Sequence, residues 1–157
     1  MKIHIIDDNT LITSLLSKIL INKGHIVTSS NFFKEGLEIL RKENFDVVMT
    51  DAPMPGYEKL NIITELEKEG ILQSQKVILF TGLDISNSTI NELKTKGLYS
   101  YLKKPLEVEK LNQELLSVSS IKNTDSTEKR ISEEQTKLNF EDIRSNLSSL
   151  KLKLDPT

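Results

Sequence analysis

Apolar positions follow two alternating periods along the chain. Ile3-His4-Ile5-Ile6, Val47-Val48-Met49 and Val77-Ile78-Leu79-Phe80 are short runs bounded by charged or turn residues. Runs of this length, rich in β-branched side chains, predict strands buried on both faces. His25-Ile26-Val27-Thr28 and Leu98-Tyr99-Ser100-Tyr101-Leu102 are weaker, as edge strands often are. Between the runs the period turns helical. Leu11, Ile12, Leu15, Leu16, Ile19 and Leu20 form the stripe of a first helix, closed at Gly24. Phe33, Leu37 and Leu40 mark a second helix, and Leu60, Ile63 and Leu66 a third that ends near Gly70. Ile90 and Leu93 mark a fourth, stopped by Gly97, and Val108, Leu111 and Leu115 a fifth that starts after Pro105. Strands alternating with helices predict an α/β fold whose parallel sheet is covered on both faces by right-handed crossovers.

Near Ser117 the composition shifts. The stretch "SVSSIKNTDSTEK" is rich in Ser and Thr and poor in apolar residues, which reads as a linker. A last helical pattern follows. Ser132 and Gln135 are spaced as a capping box, and Phe140, Ile143, Leu147, Leu150 and Leu154 step by three and four. The expected organisation is a domain over 1–118, a Ser/Thr-rich linker over 119–131 and an amphipathic helical extension over 132–155. An isolated helix of this size is marginal in water, so docking on the domain, pairing with a second copy and binding a partner all stay open for it.

The formal net charge of the 157-residue chain is −2, which gives no argument for nucleic acid, a membrane surface or a polyanion. Residues 120–157 carry seven Lys/Arg and seven Asp/Glu, and they leave no room for a helix-turn-helix bundle. There are no cysteines, so disulfides and thiolate metal sites are excluded. No run approaches the ~18 apolar residues of a membrane span, and acidic residues arrive by position 7. A soluble cytoplasmic protein is the expectation.

The chemistry sits where strands end. In an open parallel sheet, ligands lie beyond the carboxyl ends of the strands. Here those ends carry Asp7-Asp8, Asp51, Thr81-Gly82 and Lys103-Lys104-Pro105. If the first and third strands are neighbours, three carboxylates, a hydroxyl and an ammonium meet at one rim. Two carboxylates ~4 Å apart repel by ~4 kcal/mol at an effective dielectric of ~20. Either a pKa rises or a cation binds. With no Cys and only two His, a hard dication with few protein ligands is favoured, hence Mg²⁺. One carboxylate is then suited to attack phosphorus, with Lys104 neutralising the phosphoryl oxygens, Thr81 donating to one of them and Gly82 leaving room. Asp51, at the end of a buried strand, is the expected phosphoacceptor.

Four motifs, "IIDDN", "DVVMTDAPMPG", "ILFTG" and "YLKKP", stand in this order at these separations. Together they resemble the receiver domain of two-component response regulators, the chemotaxis-type CheY-like family, over roughly residues 1–118. The resemblance implies a flavodoxin-like, doubly wound, five-stranded parallel sheet in the order 2-1-3-4-5, here with a C-terminal helical tail. It implies phosphorylation of Asp51 by a partner histidine kinase or phosphotransfer protein, with slow self-catalysed dephosphorylation and no turnover of an external metabolite. It implies direct Mg²⁺ ligation by Asp8, Asp51 and the Pro53 carbonyl oxygen, with Asp7 acting through water. Thr81 resembles the hydroxyl that moves toward the phosphoryl group, Lys104 the phosphate-pairing lysine, and Tyr101 the aromatic that turns inward on activation. Output would pass through the surface of the fourth helix, fifth strand and fifth helix to a downstream protein, with a homodimer through that surface or the tail also open. The chain departs from the pattern at Glu58-Lys59, where a second glycine is usual, and at Pro53 and Leu83, where many relatives carry polar side chains.

Each residue also has a plainer role to set beside this one. Asp7 or Asp8 alone suits a helix N-cap, Thr81 a turn, Lys104 a solvated surface and Tyr101 ordinary packing. A receiver fold working as an interaction module without phosphate is the alternative function. An aspartyl phosphatase expects Asp-x-Asp where this chain has Asp51-Ala52-Pro53.

Overall fold

In a computed structural model that describes residues 1–122, five strands form one parallel sheet in the order β2-β1-β3-β4-β5. The strands are β1 (Lys2–Ile6), β2 (Ile26–Ser30), β3 (Val47–Thr50), β4 (Lys76–Thr81) and β5 (Ser100–Lys103). Between them lie α1 (Thr10–Asn22), α2 (Phe33–Lys42), α3 (Asn61–Lys68), α4 (Ile71–Ser74) and α5 (Asn87–Thr95). A last helix, α6, starts at 108 and is helical through 122, four residues into the segment read as linker. The extension expected over 132–155 lies outside the described residues.

The three apolar runs became the three central strands, whose residues are almost all fully buried. Alternate side chains feed two cores. Ile3, Ile5, Val47, Met49, Ile78 and Phe80 pack with Leu16 and Leu20 of α1 and with Leu111 and Leu115 of α6. Ile6, Val48, Val77 and Leu79 pack on the other face with Leu37 and Leu40 of α2 and Ile62, Ile63 and Leu66 of α3. Burial on both faces explains why these strands show no alternation in sequence.

Three local readings need correction. The stripe assigned to α1 is split: Leu16 and Leu20 are buried, whereas Leu11 is 79% and Leu15 53% exposed. A run of six apolar positions in ten covers more than one helix face, and the sheet takes only one side of it. The third helix starts after Leu60, and Ile62 joins Ile63 and Leu66 inside. The short helix α4 was not expected. Gly70 takes a left-handed φ of 72° after α3, so the chain turns there and restarts for one turn that buries Ile71 and Leu72. The missing glycine near Glu58-Lys59 also shows, since Lys59 itself adopts φ 45° just ahead of α3.

Candidate functional site

Parallel pairing continues one residue past several strand ends, and this builds the site. The Asp7 N–H donates to the Ser30 carbonyl at 3.1 Å, the Asp51 N–H to the Ile6 carbonyl at 2.9 Å and the Lys104 N–H to the Thr81 carbonyl at 2.8 Å. Residues far apart in sequence are thereby aligned at one rim. One ligand atom from each of Asp7, Asp8 and Asp51 lies within 4.8 Å of the others.

The three carboxylates differ in setting. Asp7 is 2% exposed and Asp51 9%, while Asp8 is exposed. Asp7 Oδ1 accepts from the Asn9 N–H at 2.8 Å, and Asp51 Oδ1 from the Ala52 N–H at 2.7 Å. Lys104 Nζ bridges the other two oxygens, donating to Asp7 Oδ2 at 2.7 Å and Asp51 Oδ2 at 2.9 Å. The ammonium also lies 5.4 Å from the centroid of the Phe80 ring. Burial pushes the Asp51 carboxyl above its ordinary value and Asp7 adds to this, against the opposing pull of Lys104 and the Ala52 N–H. For Lys104 burial is the largest single influence and acts downward, but the hydrogen bonds and charges of Asp7 and Asp51 together hold it above its ordinary value.

Neither aspartate of the pair caps α1. Asn9 does, accepting from the N–H groups of Leu11 and Ile12, so both carboxylates are left for the rim. The Thr81 hydroxyl is buried, donates to the Ala52 carbonyl and accepts from the Leu83 N–H at 3.1 Å. Gly82 opens onto space, since a Cβ there would meet nothing within 4 Å. Tyr101 is half-buried, and its hydroxyl donates to the Leu83 carbonyl at 3.1 Å. The Pro53 ring is exposed on the loop after Asp51, and the Ala52–Pro53 and Lys104–Pro105 peptide bonds are cis. Lys103 points elsewhere and pairs with Asp84.

Sequence reasoning missed the residues that hold the acidic pair. Asn9 stands in the "IIDDN" motif directly after the acidic pair, where an N-cap residue is expected. Asn31, one residue past β2, donates to the Asp7 carbonyl and to Thr13. The polar end of the second strand, "TSSN", is the sequence signal that points to it.

Comparison with known proteins agrees with this fold. The response regulator receiver domain model matches residues 3–116. The two-component response regulator ARR14 of Arabidopsis thaliana is 30% identical over 113 residues, which cover 71% of this chain and 29% of that protein. The match thus spans less than a third of that relative's length. A receiver-domain structure from Clostridium thermocellum is 29% identical with a TM-score of 0.66, covering 78% of this chain and 97% of that one. Chemotaxis protein CheY4 of Vibrio cholerae, at 25% identity and a TM-score of 0.65, covers 74% and 97% respectively.

Proposed function

Because the chain belongs to the response regulator receiver domain family of two-component signalling, we propose that it is a phosphoacceptor switch with Asp51 as the acceptor. The carrying observation is the cluster of Asp7, Asp8 and Asp51 with Lys104 held between two of them.

Among the described residues the clustered donors are three carboxylates, a hard oxygen set that fits a hard divalent cation. Asp8, Asp51 and the Pro53 carbonyl would hold Mg²⁺ directly and Asp7 through water. The bound ion would supply charge neutralisation to the phosphoryl oxygens.

In this reading an Asp51 oxygen attacks the phosphorus of a phosphohistidine on a kinase or phosphotransfer protein. The O–P bond forms, the P–N bond breaks, and its electron pair returns to the donor imidazole, which takes a proton from water. Lys104, already 2.9 Å from Asp51, turns its charge to the phosphoryl group. Thr81 reaches that group only by releasing the Ala52 carbonyl. That release frees the segment whose Leu83 is tied to both Thr81 and Tyr101. Rearrangement there would alter the surface of α5, β5 and α6 and its affinity for a downstream protein.

Incubation with acetyl phosphate and Mg²⁺, read by intact mass, tests the reading. A gain of one phosphoryl group is expected, absent with EDTA and in Asp51→Asn. A wild type that takes up no phosphate would favour the phosphate-independent module instead.

A further inference from the structure

The acidic pair sits in a turn, Asp7-Asp8-Asn9, that joins β1 to α1. Asp8 is the exposed member, and among the described residues no hydrogen bond or ion pair fixes its carboxylate. Its direction therefore depends on the backbone on either side. One side chain from another loop holds that backbone directly at Asp7 and, through the Thr13 hydroxyl, at the start of α1. Asn31 Nδ2 donates to the Asp7 carbonyl oxygen at 2.8 Å and to Thr13 Oγ1 at 3.1 Å. Thr13 Oγ1 in turn donates to the Thr10 carbonyl at 3.1 Å.

The chain of bonds has one consistent direction. A carbonyl can only accept, so the amide nitrogen of Asn31 faces Asp7. Thr13 spends its own proton on Thr10 and has a lone pair left for the second Asn31 proton. Thr13 is 4% exposed, and a half-satisfied network there would be costly, so the arrangement specifies one geometry. Asn31 thus holds the residue before Asp8 and, through Thr13, the first turn of α1 after it.

We infer that Asn31 is a positioning residue for the Asp8 carboxylate and, through it, for divalent-cation binding at the acidic rim. This rests on the Mg²⁺ reading given above. Groups that orient metal ligands from behind typically change metal affinity by ~10–100-fold when removed. Among the described residues the Asn31 side chain donates to the backbone of the ligand-bearing turn and to Thr13 and makes no hydrogen bond to the carboxylates, so its effect passes through position.

The test uses the full chain and Mg²⁺ alone. Calorimetric titration gives the Kd, and thermal unfolding in EDTA gives the stability of the metal-free fold. Asn31→Leu keeps the bulk of the side chain and removes both donated bonds; its Kd should rise roughly tenfold or more. Thr13→Val, which breaks only the second bond, should raise it less, and Thr13→Ser, which keeps the hydroxyl, should bind as wild type does. Leu20→Ala, in the core at the far end of α1, is the control for lost stability; its Kd should stay near that of wild type however much its midpoint falls. Mg²⁺ binding in Asn31→Leu within twofold of wild type would overturn the inference. So would a weakening no larger than in Leu20→Ala at matched stability. A wild type that binds no Mg²⁺ would instead overturn the metal reading, and this inference with it.

Discussion

At the residue scale, the buried groups are set against their own preferences. Asp51 is held above its ordinary value chiefly by burial, so in the folded chain its ionised form carries a cost. Asp51→Asn should therefore raise the unfolding midpoint of the metal-free protein while abolishing phosphate uptake. Lys104 keeps Asp7 as a partner in that variant, so no unpaired ammonium offsets the gain. A lower midpoint would show that the Lys104–Asp51 bond outweighs the desolvation of the carboxylate. His4 gives a second test. It is fully buried in β1, Nε2 lies 2.9 Å from Ser30 Oγ, and Nδ1 has no hydrogen-bond partner among the described residues. Burial lowers its pKa from 6.5 to about 4, against a weaker opposing pull from Glu43. Between those values the unfolded chain binds the extra proton, so stability falls as pH drops from 6.5 toward 4 and the loss levels off below. The loss attributable to this one group is roughly 3 kcal/mol. His4→Leu should flatten that part of the stability profile, measured by urea unfolding at stepped pH. An unchanged slope would mean the histidine is reached by water.

Helices and strands are where sequence and structure part company most. The central strands were legible because burial on both faces writes a continuous apolar run. The helix faces were less so. Leu11 and Leu15 belong to the right helix but not to its buried side, because the number of apolar residues in α1 exceeds what one face can bury. Helix α4 was invisible, since a single turn leaves no period to detect. Contact between α2 and β1 depends on Gly36, and no periodicity reports that. A Cβ there would lie 2.7 Å from Ile6 Cδ1 and 2.9 Å from Ile6 Cγ1. Ile6 is fully buried and directly precedes Asp7, so it has nowhere to move without disturbing the acidic turn. Gly36→Ala gains ~1 kcal/mol of helix propensity and should still lose stability, since overpacking typically costs ~1–3 kcal/mol. Ile6→Ala removes all three of the Ile6 atoms a Cβ at 36 would meet, so in a double-mutant cycle the double variant should lose clearly less than the sum of the two single variants. Additive effects in that cycle would place the clash elsewhere.

At the scale of the whole molecule, the topology and the convergence of Asp7, Asp8, Asp51 and Lys104 at one rim follow from one rule about parallel sheets. What the rule does not supply is how the free site balances its charge. In the structure Lys104, from the segment after β5, reaches across to residues that follow β1 and β3. The edge of the sheet is thus tied to its centre by charge, and a divalent cation on the same carboxylates would add a tie that exists only in the folded chain. Binding to the native state alone stabilises by about 2.7 kcal/mol at a hundredfold excess over Kd. For a chain of this length that is roughly a 5–10 °C rise in the unfolding midpoint. The rise should depend on pH in a defined direction. Because the folded pKa of Asp51 is raised, its proton returns to the carboxylate earlier than in the unfolded chain as pH falls. That protonation relieves the metal-free fold and at the same time removes a cation ligand, so the midpoints in Mg²⁺ and in EDTA should converge toward acid pH. Calcium at equal concentration should give a smaller shift if the site keeps the compact octahedral geometry Mg²⁺ requires. Thermal unfolding of wild type and Asp8→Asn, across pH and with each cation, measures all of this. Equal midpoints in Mg²⁺ and EDTA at neutral pH, or an undiminished shift in Asp8→Asn, would show that the acidic rim is balanced by Lys104 alone.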